Sequence, residues 1–567
     1  MDDAHASTPV DDLRAAVLRA AAALGATPKS APTLERPKQA SHGDYATNAA
    51  MLLAGALKAP PRDVAARLAD AIAVELGDDL DRAEIAGPGF LNLFLGDGWH
   101  ARALTDVLAA GDDFGRVAPD APGRERINVE FVSANPTGPV HVGGSRNAAH
   151  GDALARMLTF VGHDVHREYY VNDFGSQIVK LGESVQARAR GEAIPEDGYQ
   201  GAYVQEIADQ LPGAADGDLA EVSQQAVALM IKRVKASLSA FGVEFDTWFS
   251  EKSLHEPGPD GAPSRVQHAF DVLAEQGRTY RHEGALWLRT TEFGDEKDRV
   301  LERSSGEHTY FASDIAYHQD KRERGYTRLI DLWGADHHGY MQRMHAAYEA
   351  LGGAPGDLEL LIMQFVHIVE RAADEETGAE ETTRVKMSKR AGEFVTLDEL
   401  VSEIGVDAAR WFLLARSHDT TMDLDLDLAR SESAENPVYY VQYAHARIAS
   451  ILRRSEVTPD PVIPEGVALH ASERALVQAL LAFGPAVADA AGRRAPHRLV
   501  TYVLELAQTF TAFYRDCPIV GDEAEAFRAA LAGATQHVLA TGLDLLGISA
   551  PVEMHREDAA VPGPAAR

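Results

Sequence analysis

Asn128-Val-Glu-Phe-Val-Ser-Ala-Asn-Pro-Thr-Gly-Pro-Val-His-Val-Gly-Gly144 opens as an apolar run, breaks at Pro136 and resumes as a helix after His141. A strand that passes through a Pro/Gly loop into a helix start offers backbone N–H groups and a positive dipole end to an anion. Gly143 and Gly144 allow a ligand to approach the backbone closely. Far downstream, Lys386-Met-Ser-Lys-Arg390 is a tight cationic pentad, of the kind that closes over phosphates on a mobile loop. Lysine is scarce in the chain and none follows Lys389, so Lys386 and Lys389 are unlike a chance pair. The two segments predict the halves of one triphosphate site.

The chain of 567 residues is too long for one core, so three or more domains are expected. Its hydrophobic fraction of 45% is ordinary for a globular protein. The sequence contains no run of about 18 uncharged apolar residues, and Met1-Asp-Asp-Ala-His lacks the basic start of a signal peptide. A cytoplasmic protein without a membrane partner is expected. The lone Cys517 excludes internal disulfides and a cysteine-rich zinc site, and no structural metal is needed to explain the fold. The net charge of −32 argues only weakly against a nucleic-acid partner. Salt screens charges beyond about 10 Å, and a local basic stripe matters more than the total.

Residues 1–105 read as a small α+β unit. Helical periodicity runs over Asp11 to Leu24, Ala46 to Leu57 and, behind Pro60-Pro61, Arg62 to Leu76; a turn and strand follow at Gly87 to Leu95. After a linker at 111–123, residues 124–430 alternate strand, loop and helix, which predicts a Rossmann-like α/β nucleotide-binding domain with a parallel sheet. Its strands are expected at Ile127 to Val132, His166 to Val171 and Arg328 to Trp333, with a further apolar run at Leu358 to Val369. A polar, less regular section at about 185–300 reads as an insertion, and Arg371 to Thr383 as a hairpin tip leading to the pentad at 386–390. Residues 431–554 predict an all-α helical bundle, and 555–567 a disordered tail.

Several segments go beyond a generic nucleotide loop. The string Val129 to Gly143, then Gly151-Asp-Ala-Leu-Ala155 and Arg167-Glu-Tyr-Tyr-Val-Asn-Asp173, resembles the bacterial-type arginyl-tRNA synthetases, a class I aminoacyl-tRNA synthetase family. The likeness covers nearly the whole chain. His42 to Met51 and Gly87-Pro-Gly-Phe-Leu-Asn92 are similar to that family's N-terminal domain, which meets the tRNA elbow. Thr309 to His318, Gly334-Ala-Asp-His-His-Gly339 and Lys386 to Gly392 match its catalytic domain in order. Tyr439 to Arg447, Phe513 to Cys517 and Pro551 to Met554 resemble its anticodon-binding domain.

The resemblance implies an arginine–tRNA ligase. ATP, with Mg2+, activates L-arginine to arginyl-adenylate, and the arginyl group then moves to the terminal adenosine of tRNA(Arg), generally only once tRNA is bound. It implies catalytic roles for His141, Gly143, Gly144, Lys386 and Lys389. ATP contacts would come from Pro139, His141, Gly143, Gly144, Gly334, Asp336, His337, Met387, Ser388 and Lys389. In the arginine pocket, Ser133, Asn135 and Asp336 would hold the amino-acid end, and Glu130, Tyr310 and Asp314 the guanidinium. An always-charged planar fork demands carboxylates. A helix N-cap role also explains Asp314. Asp336, His337 and His338 are adjacent on a turn and lack metal-ligand spacing, so no metal site is expected. Phe90 and Asn92 could read an unpaired tRNA base, although an apolar strand explains Phe90 equally well. Tyr439, Tyr443, Arg447 and Arg515 combine aromatic faces with cations, as anticodon readers need; the spacing of four between the tyrosines also suits helix packing.

The family usually carries a second histidine where this chain has Gly144. A glycine at a helix start would leave its own N–H open to the same anion, and both lysines are kept, which favours activity. The rival reading, suggested by Gly144 alone, is a catalytically silent tRNA-binding protein on the same scaffold. A synthetase for glutamine or cysteine is disfavoured by Glu130 and Asp314. A monomer is expected.

Overall fold

The computed structural model describes residues 8–37, 39–373, 380–384 and 395–554. Lys386, Met387, Ser388 and Lys389, and the tail at 555–567, lie outside the described residues.

At the centre is a five-stranded, all-parallel sheet. Its strands are β1 (Arg126–Glu130), β2 (Asp164–Val171), β3 (Thr247–Ser250), β4 (Arg328–Gly334) and β5 (Leu358–Met363), in the order β5-β4-β1-β2-β3. This is the doubly wound order. It reverses between β1 and β4, and the crevice past the carboxyl ends of those two strands is where such sheets take ligands. Ile127, Val129, Leu329, Ile330 and Leu332 are fully or almost fully buried, as expected of strands covered on both faces.

Helix α1 (Val142–Phe160) follows β1, and α2 (Tyr310–Glu323) precedes β4. Because α1 is rich in alanine and glycine, it packs tightly on the chain leaving β1: a Cβ at Gly151 would stand 2.2 Å from Cγ of Phe131. We expect Gly151→Ala to cost about 1–3 kcal/mol through overpacking, read as a lowered urea midpoint with an unchanged slope.

Three expectations need correction. The section at 185–300 is more regular than its polarity suggested. It holds the helices Ala202–Gln210 and Leu219–Ala240 and supplies the edge strand β3, which pairs in parallel with β2. Only four residues long and mostly half-buried, β3 carries a weak sequence signal. The helix expected from Ala46 begins at Ala49, because Tyr45–Thr47 pairs with Phe90–Leu95 as a strand. The apolar run from Leu358 divides at Gln364-Phe365 into β5 and the strand Val366–Ala373. The latter pairs antiparallel with Glu380–Arg384 and parallel with Met422–Asp425.

The N-terminal unit is a four-stranded antiparallel sheet with helices Pro9–Ala23, Ala49–Leu57 and Pro61–Leu76 packed on it and on one another. The C-terminal unit is helical, from Pro437–Arg454 to Glu525–Leu545. Helix α1 also packs against this bundle. Phe160 meets Phe483 edge-on at 5.6 Å, and Arg156 reaches Asp544. The fully buried Arg410 donates to Asp152 of α1, to the carbonyl of Phe241 and to that of Leu546.

Candidate active site

After Glu130 the chain enters a strained turn. Val132 (φ 68°) and Ser133 (φ 38°) both lie in the left-handed region, a conformation that costs a β-branched residue about 1–3 kcal/mol. Neighbours hold the turn in place. Asn147 of α1 accepts the Val132 N–H at 2.8 Å and donates to the Leu332 carbonyl at 2.9 Å. The Tyr169 hydroxyl bonds both the N–H and the carbonyl of Ala134. Ser133 Oγ accepts the Tyr170 N–H at 3.1 Å, so only its hydroxyl proton and one further lone pair remain for a substrate. Asn135 is exposed on the loop and Pro139 is half-buried.

His141 caps α1. Its Nδ1 accepts the N–H of Gly143 at 3.1 Å and of Gly144 at 3.3 Å. The expectation that the Gly144 amide stands open to an anion is therefore corrected: the imidazole already engages both amides. A ring that accepts at Nδ1 carries its proton on Nε2, so the cap turns His141 into a donor on its far side.

The chain just beyond the lysine pentad lies on this same entrance. The Leu397 N–H donates to the Val140 carbonyl at 2.7 Å and the Val142 N–H to the Val395 carbonyl at 3.0 Å, with His141 and Thr396 bridged antiparallel. Val395 is five residues past Arg390, and the strand Glu380–Arg384 ends two residues before Lys386. Buried Arg146 of α1 donates to the carbonyls of Gln364, Ser417 and Thr420 at 2.7–2.9 Å, fastening the base of that strand pair to α1.

Beside β1, β2 and β3 lies an acidic cluster. The Tyr170 hydroxyl is buried within it. Burial, and then the charges of Glu251, Asp314, Glu130 and Asp173 around it, push its pKa far up. Glu251 is 3% exposed, and the Ser313 and Tyr170 hydroxyls are its neighbours. Burial, and next Asp314, push the Glu251 carboxyl up to about 7. Burial likewise raises Asp314, against the Tyr340 hydroxyl that donates to it at 2.5 Å. Asp173 is occupied by the Ser250 hydroxyl and the Lys252 N–H.

Two expected pocket residues are placed differently. Glu130 is not left open for a guanidinium: Lys321 Nζ sits 2.6 Å from its Oε2. Tyr310, first residue of α2, is 66% exposed near Gly175. Asp314 faces Tyr170 and Glu251, and the N-cap of α2 is Thr309 instead. Glu251 went unnoticed in the sequence because it follows the short β3, inside the section read as an insertion.

Gly334 ends β4 at the point of strand reversal, and Asp336, His337 and His338 follow on an exposed turn, with His337 Nε2 3.6 Å from Asp336. Among the described residues no cluster of three or more His, Cys, Asp or Glu could hold a metal ion. On the N-terminal sheet Phe90 is 39% exposed, whereas Asn92, on the same face two residues on, is buried, so of the two only Phe90 is open to solvent. In the bundle Tyr439 and Tyr443 stack at 6.1 Å and 7°, with the Arg447 guanidinium 4.6 Å over Tyr443 and 5.4 Å from Tyr514. Arg515 is exposed and paired with Asp516.

A doubly wound sheet with a histidine-capped helix entrance, followed by a helical bundle, fits a class I aminoacyl-tRNA synthetase. Comparison with known proteins agrees. Residues 104–201 match the family model for the class I (R) tRNA synthetase catalytic domain, 11–95 the arginyl tRNA synthetase N-terminal domain, and 441–554 the DALR anticodon binding domain. The arginine–tRNA ligase of Frankia alni is 45% identical over 565 residues, covering 96% of this chain and 99% of its own. That of Carboxydothermus hydrogenoformans is 43% identical, covering 94% and 96%. Among solved structures, a putative arginyl-tRNA synthetase from Campylobacter jejuni superposes with a TM-score of 0.73 at 32% identity, over 81% of this chain and 100% of that one. Thermus thermophilus arginyl-tRNA synthetase shares the fold, with a TM-score of 0.70 at 24% identity, over 96% and 99%. The chain belongs to the arginyl-tRNA synthetase family.

Proposed function

We propose that this arginine–tRNA ligase binds the arginine guanidinium between Glu251 and Asp314 under the Tyr170 hydroxyl, with ATP at the His141 entrance. The observation that carries the reading is the cluster of four carboxylates, Glu251, Asp314, Glu130 and Asp173, around the buried Tyr170 hydroxyl. Such a cluster calls for a cation with several donors in a plane, which guanidinium is and an ammonium is not.

In the first step the arginine carboxylate attacks the α-phosphorus and pyrophosphate leaves, forming the mixed anhydride. His141 Nε2–H donates to the phosphates from α1, and Lys386 and Lys389, two and five residues past the strand Glu380–Arg384, close over them. Gly334, Asp336 and His337 meet the ribose and the substrate amino group. Mg2+ accompanying ATP would offset phosphate charge. A hydroxyl of the terminal adenosine of tRNA(Arg) then attacks the anhydride carbonyl and releases AMP. The tRNA rests on Phe90 and on the Tyr439–Tyr443–Arg447 stack, with Arg515 beside them. Activation requires bound tRNA, and the enzyme works as a cytoplasmic monomer with no membrane contact.

The direct experiment is tRNA-dependent pyrophosphate exchange and charging with arginine, glutamine, cysteine and lysine in turn. Arginine alone is expected to support both; charging with another of the four in its place would overturn the reading. The raised Glu251 pKa adds a pH signature. Below pH about 7 this carboxyl is protonated and cannot pair with guanidinium, so arginine binding expels a proton there. The arginine KM is expected to fall about tenfold from pH 6 to pH 8, with the ATP KM nearly level. A flat arginine profile would remove Glu251 from the pocket.

A further inference from the structure

Three carboxylates stand abreast inside the sheet. Glu168 of β2 registers with Glu130 of β1, and Glu130 with Asp331 of β4. All three are buried, and adjacent like charges in a dry interior are costly unless paired. One face of α2 and its C-cap residue Arg324 answers them. Arg324 grips Glu168 with two hydrogen bonds of 2.6 and 2.7 Å, and the Tyr317 hydroxyl donates to the same carboxylate. Lys321, wholly buried, spans the other two, 2.6 Å from Glu130 Oε2 and 2.8 Å from Asp331 Oδ1. Burial opposes both charges of the Lys321–Asp331 pair. The two acids nonetheless keep Lys321 protonated, and Lys321 with His318 holds Asp331 below the usual carboxylate range, while burial raises Glu130.

Lys321 touches neither substrate in the reaction above. It lies seven residues beyond Asp314 on the same helix, about 10 Å along the axis at 1.5 Å per residue. Arg324 and Lys321 both hold the last turn of α2, Arg324 to β2 and Lys321 to β1 and β4, the two strands that flank the ligand crevice.

We propose that Lys321 is a positioning residue for arginine: by bridging Glu130 and Asp331 it sets how deeply α2 sits over β1 and β4, and so places Asp314 against the guanidinium. This deepens the pocket assignment and rests on it. The bridge also keeps Glu130 occupied, so that Asp314 and Glu251 remain as the acids facing substrate.

The test is a double-mutant cycle read as KM values in tRNA-dependent pyrophosphate exchange. Lys321→Met in the native background is expected to raise the arginine KM about tenfold or more and to leave the ATP KM within about twofold. In an Asp314→Asn background the same change is expected to add less than about twofold, because the residue it positions is already disabled. An equal factor in both backgrounds, or equal rises in the arginine and ATP KM, would overturn the proposal. If Lys321→Met does not fold, the pair Lys321→Met/Glu130→Gln, which leaves Asp331 to His318, closes the same cycle under the same criteria. A native enzyme that fails to use arginine would sink the pocket assignment itself, whatever the Lys321 variants do.

Discussion

Asp314→Asn and Glu251→Gln are each expected to raise the arginine KM about 100-fold while the ATP KM changes by less than about twofold. Removing one charge from a buried, hydrogen-bonded pair costs about 2–5 kcal/mol, and each 1.4 kcal/mol is a factor of ten. Neither variant empties space. The Asp314→Asn amide oxygen can still accept from the Tyr340 hydroxyl, which now donates to the carboxylate, so the loss is of charge rather than of packing. The two variants differ in one telling respect. Glu251→Gln removes the group that titrates near neutrality, so the pH dependence of the arginine KM should vanish with it, whereas Asp314→Asn should retain it. Parallel rises in both substrate KM values would mean the cavity is not the arginine pocket.

His141→Ala should lower kcat for pyrophosphate exchange by about 100- to 1,000-fold, the range for removing one preorganised donor from a developing anion. The arginine KM should move little, since His141 faces the phosphates. A second effect must be separated from the first. The imidazole is also the N-cap of α1, and losing such a cap costs about 1 kcal/mol of stability. His141→Asn makes the separation, because asparagine caps helices well but ends short of where Nε2 lies. It should restore the thermal midpoint while kcat stays low. Recovery of kcat in His141→Asn would mean that capping alone accounts for the histidine.

Much of the fold could be read from the chain, and the failures have physical causes. The parallel sheet announced itself through the alternation of strand, loop and helix, although Asn128, Glu130 and Asp331 interrupt the buried apolar residues of β1 and β4. Strand β3 did not, because four mostly half-exposed residues at a sheet edge carry no burial pattern, and Glu251 was overlooked with it. The phosphate entrance was visible in the Pro/Gly spacing, but which amides stay open depends on a rotamer: the His141 ring folds back onto Gly143 and Gly144. Glu130 stands out in the sequence as an acid in a strand, and its expected partner was the guanidinium. That the partner is Lys321, 191 residues away, is a matter of tertiary register and cannot be read from local sequence. Asn92 alternates with buried neighbours in a way that a strand paired on both sides explains only once its partners are known.

Helix α1 begins at the proposed phosphate site and has the C-terminal bundle against its side, so one stiff rod about 28 Å long, 19 residues at 1.5 Å each, forms a party wall between that entrance and the anticodon-binding domain. Arg410, sunk where that wall meets the last helix, leaves no room for anything larger than hydrogen on Gly547. The bundle is therefore not a detachable module. Grafting on a foreign one would have to rebuild the back of the helix whose front is the proposed triphosphate site.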